Sequence, residues 1–109
     1  MRLVTLGTGT VAFTPERVCA GHLLHAGSVT LLMDCGSGIS HRLAQHEPHW
    51  REISHLAITH FHTDHVGDLA TLMFGWKYGS RPGRAKPLTL IGPVYSVPEL
   101  ADGGLPSVV

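Results

Sequence analysis

Three histidines and one aspartate fall within six positions, His60-Phe61-His62-Thr63-Asp64-His65, inside the stretch AITHFHTDHVGDL. That spacing constrains the fold more than anything else in the chain. The apolar run ISHLAITH before it has the length of a short strand. A strand that ends at His60 sends alternate side chains the same way, so His60 and His62 can face one metal ion while Phe61 turns into the core. Gly67 and the change of period after it imply a turn, which carries Asp64 and His65 to a neighbouring position. Two imidazoles for one ion, and a carboxylate plus an imidazole for a second, is the arrangement this order permits. Zinc or another first-row ion suits such nitrogen and oxygen donors. A lone histidine in a loop is usually a satisfied polar residue; four ligand types in H-x-H-x-D-H order are a far stronger signal.

The rest of the chain can supply a sheet and helices around that turn. RLVTLGT is β-rich and stops at glycines, so a strand is expected there. VCAGHLLHAG and SVTLLMDCG read as two strands joined by a tight hairpin at Ala26-Gly27-Ser28. In SGISHRLAQHEPHW, Ile39 and Leu43 recur at helical spacing, Ser37 is placed to cap, and Pro48 ends the run. DLATLMFGWKYG puts Leu69, Leu72, Met73 and Trp76 on one helical face, with Gly79 as the stop. LTLIGP is a further strand after the basic loop SRPGRAKP. From residue 94 onward no period is sustained, and that tail receives no element. The expected class is α/β (α+β), one domain over residues 1–93 with an unassigned tail, 94–109.

Composition excludes several partners. Eight basic and eight acidic side chains cancel in 109 residues, so no global attraction to nucleic acid or anionic lipid is encoded. Lys77, Arg81, Arg84 and Lys86 cluster locally and read as a solvated loop. No run approaches a membrane span and the N-terminus lacks a signal-peptide pattern, so the expectation is a cytoplasmic protein with no membrane partner. Two cysteines without a CxxC point to free thiols rather than a disulfide scaffold or zinc ribbon. Of the remaining histidines, His22 and His25 lie at odd separation on one strand and face opposite ways. His41, His46 and His49 belong to a solvent-facing helix or its end.

Here the sequence resembles a known family. THFHTDHVGDL is similar to the metal-binding signature of the metallo-β-lactamase-fold hydrolases. LGTGT, DCGSG and LMFGWKYG, with LTLIGP after a basic loop, resemble the ribonuclease Z branch, tRNA 3′-processing endonucleases and related phosphodiesterases. The resemblance covers residues 1–93 and implies the N-terminal half of an αββα sandwich, a mixed sheet with flanking helices. It implies His60 and His62 on a first zinc, and Asp64 and His65 on a second. Asp64 would also serve as catalytic acid/base partner of the metal-bound water. Two ions would lower the pKa of that water and clamp a phosphate oxygen during in-line attack. The implied partner is a phosphodiester substrate such as a tRNA precursor, and a homodimer is an assembly the family allows. Asp34 matches the aspartate of the family's DxGxG stretch, either orienting the site from behind or serving only the turn.

A dinuclear site needs roughly six or seven protein ligands, and the motif supplies four. The family takes its remaining ligands from later in the chain. The expectation is therefore a zinc-dependent phosphodiester hydrolase, with a truncated, catalytically incomplete metal-binding remnant, or a hydrolase of another ester or sulfate, as alternatives. GTGTVA after the first strand also fits a dinucleotide fingerprint, but FTPERVCAGH offers no helix for it to open.

Overall fold

The computed structural model describes residues 1–84 and 86–94; the expected tail, apart from Val94, lies outside them. Five strands form one sheet in chain order: β1 (Arg2–Gly7), β2 (Gly21–Ala26), β3 (Val29–Met33), β4 (His55–Ala57) and β5 (Thr89–Ile91). The first three pair antiparallel and the last two join in parallel. The β2–β3 hairpin turns through two residues, with Gly27 at φ 59. A positive φ at the first central position is the II′ geometry whose twist matches paired strands, and glycine adopts it without a Cβ clash.

Each parallel connection needs a crossover, and a helix supplies it. Helix α1 (Ile39–His46) joins β3 to β4. Between β4 and β5 run a single turn, α2 (Thr63–Val66), and the longer α3 (Leu69–Tyr78). Both crossovers step the same way along the sheet, so right-handed connections place α1 and α3 on one face. There the register row Val4–Leu23–Leu32–Leu56 meets Ile39 and Leu43 of α1, and Leu72 and Trp76 of α3. Leu23, Leu32, Ile39 and Leu56 are fully buried, and each such side chain contributes about 1.5–3 kcal/mol relative to exposure. Phe61 packs against this core, as its place between two histidines suggests.

Three local expectations are corrected. The strand before the cluster stops at Ala57, not His60. Ile58 still donates to the Ile91 carbonyl, but the Thr59 N–H goes to the Asp34 carboxylate and the ladder ends. Helix α1 begins after Gly38 rather than under a Ser37 cap; its orphan N–H groups are met by Asp68, thirty residues downstream in the chain. Met73 is 42% exposed, because α3 buries a stripe of Leu69, Leu72 and Trp76 and leaves Met73 at its margin.

Candidate metal centre

The motif sits where β4 gives way to α2. Residues 58–62 carry the chain out of the sheet, His62 is the N-cap of α2, and Asp64 and His65 lie on its single turn. This turn and Asp68 beyond it are stitched to DCGSG and to Ala20 by main-chain bonds: Cys35 N–H to the His65 carbonyl at 2.7 Å, Ala20 N–H to the Asp64 carbonyl at 3.2 Å, and Asp68 N–H to the Cys35 carbonyl at 2.9 Å. The approach is so close that a Cβ on Gly36 would fall on the Asp64 carbonyl oxygen. A glycine in that position is a packing requirement of the site.

Asp34 organises the centre. It is 6% exposed, and its backbone occupies the left-handed region at φ 61, which Asp tolerates better than most residues. Its Oδ1 accepts the Thr59 N–H at 2.8 Å; its Oδ2 accepts the Thr59 hydroxyl at 2.8 Å and lies 2.7 Å from His65 Nδ1. A carboxylate only accepts, so the proton between it and His65 belongs to Nδ1. Thr59 Oγ1 also lies 2.9 Å from His60 Nδ1. Having spent its one proton on Asp34, the hydroxyl accepts there, and His60 Nδ1 carries the proton as well. In the neutral imidazoles both Nε2 atoms are thereby left as lone-pair donors.

The rings gather accordingly. The His60 ring centre lies 4.6 Å from that of His62 and 4.0 Å from that of His65. His65 Nε2 stands 3.5 Å from Asp64 Oδ2, two electron-rich atoms that a cation between them would reconcile. Among the described residues no three such donors already close on one point. The donor chemistry fits a first-row ion, with the half-buried side chains of His60, Asp64 and His65 beside an exposed His62. Against Asp64 opens a cavity of about 490 Å³, lined by Val11, Phe13, Arg17, Cys19, Ser37 and Thr63 among others. Burial pushes the Cys35 thiol up to about 12, with the neighbouring Asp34 and Asp68 charges adding to it; the nucleophilic thiolate is suppressed.

The other histidines stand apart from the centre, as their spacing suggests. His22 and His25 sit on opposite faces of β2, and His25 Nε2 pairs with the buried Glu47 at 3.0 Å. His41, His46 and His49 are exposed. Two residues of the centre's framework were not visible in sequence. Thr59 is an ordinary β-branched residue until Asp34 is beside it. Asp68 looks like a helix start, yet its Oδ2 accepts from Gly38 N–H at 3.1 Å, Ser40 N–H at 2.8 Å and the Ser40 hydroxyl at 2.8 Å.

A mixed sheet with helices on one face, carrying this turn at a strand end, defines a metallo-β-lactamase-fold protein. Solved structures agree: YhfI from Bacillus subtilis, of that fold, superposes with TM-score 0.73 at 21% identity over 94% of this chain and 41% of its own. Human tRNase Z, short form, gives 0.72 at 29% identity over 84% of this chain and 34% of its own. The chain belongs to the family described as "Anti-Pycsar protein Apyc1", whose model matches residues 1–100. The protein of that name from Paenibacillus sp. (strain J14) is 46% identical over 93 residues, 84% of this chain and 36% of the relative. Ribonuclease Z of Mycobacterium avium (strain 104) is 37% identical over 94 residues, 85% and 33% respectively. The chain thus spans about a third of the length of the curated relatives it matches. The resemblance to ribonuclease Z holds among relatives, while the matching family model is the Apyc1 one.

Proposed function

We propose that these residues form the metal-holding half of a centre that hydrolyses nucleotide phosphodiester bonds, with His60 and His62 on one zinc ion and Asp64 and His65 on a second. The observation that carries the reading is the Asp34–Thr59 relay, which fixes two imidazoles in the tautomer a metal requires. Zinc would supply Lewis acidity and a water of lowered pKa. The chain's own residues do the rest. Asp34 holds His65 directly and His60 through Thr59; Asp64 accepts or returns a proton at its carboxylate oxygen turned away from the ion; Arg17 offers its guanidinium to a phosphate entering the cavity beside Asp64. The names ribonuclease Z and tRNase Z among relatives support RNA as substrate. A second reading rests on the family model and the 46% identical relative: the Anti-Pycsar name points to degradation of a cyclic nucleotide.

The test is zinc content and zinc-dependent hydrolysis of a simple phosphodiester, a cyclic mononucleotide and a tRNA precursor. His62→Ala and Asp64→Ala should each lower bound zinc and remove turnover. Full zinc loading and unchanged turnover in both variants would refute the assignment. Zinc binding without turnover in the parent chain would leave the metal-holding role and remove the hydrolytic one.

A further inference from the structure

At the far end of α3 from the metal-ligand turn lies a second crevice, of about 280 Å³, lined by Met73, Trp76, Lys77, Arg84, Lys86 and Leu88. Its floor is apolar: Trp76 is buried with its Nε1 donating to the Trp50 carbonyl at 3.0 Å, and Leu88 packs against the core. Its walls are cationic, and none of its lining residues is acidic. Arg84 is built in rather than free. Its guanidinium donates to the Arg51 carbonyl at 2.6 Å, to Lys86 at 2.8 Å and to Pro87 at 3.2 Å, and lies 6.0 Å from the Trp76 ring centre. Those bonds fix a flat cation in the wall and tie the basic loop to Arg51, in the short turn Trp50–Glu52. Lys77 and Lys86 are exposed, and among the described residues neither pairs with a carboxylate.

An apolar floor, a rigid guanidinium plane and two exposed ammonium groups match a ligand with flat apolar rings and regularly spaced negative charge. Bases stack on guanidinium planes and apolar side chains, while ammonium groups follow the phosphates. We propose that this crevice binds a segment of single-stranded nucleic acid, as an anchoring site separate from the metal centre. It goes beyond the hydrolytic reading and stands without it, because no metal ligand takes part.

The experiment is a titration of the full chain with a ten-nucleotide single-stranded RNA in the presence of chelator, followed by tryptophan fluorescence and anisotropy. Chelator removes the metal centre from the measurement, so failure here is distinct from failure of the hydrolytic reading. Lys77→Glu/Lys86→Glu changes two exposed side chains, and circular dichroism verifies that it folds. Binding should weaken at least tenfold in that variant. Losing two phosphate contacts should flatten the salt dependence by roughly 1.4 in the log–log slope. A polyglutamate of matched charge should bind at least tenfold more weakly than the RNA. No binding of RNA, equal binding by the variant, or equal affinity for polyglutamate would each overturn the proposal.

Discussion

Asp34 concentrates more of the site's physics than any proposed ligand. It accepts three hydrogen bonds, from Thr59 twice and from His65 once, at a left-handed backbone position. Asparagine tolerates that backbone conformation but brings no charge and one acceptor oxygen fewer. Asp34→Asn should therefore fold and still lose about 10–100-fold in zinc affinity, the usual effect of removing a group that orients a metal ligand. Calorimetric zinc titration beside a melting curve separates the two effects; unchanged affinity would reduce Asp34 to a turn residue. The adjacent thiol gives a pH prediction. Cys35 is raised from 9.0 in an open chain to about 12 in the fold, so the folded state holds this proton more tightly than the unfolded state. Its contribution is complete below about pH 9 and is lost as pH rises towards 12. The urea midpoint should fall from pH 9 upward, and Cys35→Ala should flatten that fall. At neutral pH, a thiol reagent should modify the half-buried Cys19 well before the buried Cys35.

Between elements, the contact that matters most is Asp68 on the N-terminus of α1. It stands at the start of α3 yet satisfies two N–H groups and a hydroxyl of the other helix, with its charge at the positive end of the α1 dipole. Asp68→Ala strands those donors and should cost about 1–3 kcal/mol, read as a lower urea midpoint with little change in secondary structure. The same contact shows what sequence could and could not reveal. Strands β1 to β3 and helices α1 and α3 were legible because alternation and the 3.6-residue repeat are local, and Gly27 announced its hairpin. The histidine and aspartate cluster was legible because its residues adjoin one another in the chain. The bonds that organise it join residues 25 to 31 positions apart, and no periodicity encodes a partner at that distance. For the same reason β4 was expected to run to His60: only the fold shows Asp34 taking the Thr59 N–H that would have continued the ladder.

At the scale of the whole molecule, the sheet is covered on one face by α1 and α3, whereas no described element layers the other. That second face carries the rows Leu3–Leu24–Leu31–His55–Thr89 and Thr5–His22–Met33–Ala57–Ile91, whose apolar members adjoin one another between polar ends. Leu3 is 60% exposed and Ile91 50%. A contiguous apolar surface of this kind is unusual on a soluble monomer, and it sits back to back with a core whose central leucines are fully buried. The two faces should therefore answer differently to mutation. Leu56→Ala opens a void in the covered face and should cost about 2–5 kcal/mol. Leu3→Lys and Ile91→Lys, on the open face, should shift the urea midpoint less, because half or more of each residue is still exposed to water. They should instead lower the binding of an apolar fluorescent dye such as anilinonaphthalene sulfonate, which the parent chain takes up while keeping its near-ultraviolet dichroism. Dye binding with that dichroism lost would mark a loosely packed globule, not a folded half-covered sheet. Absence of dye binding in the parent chain would mean that this face is covered in solution.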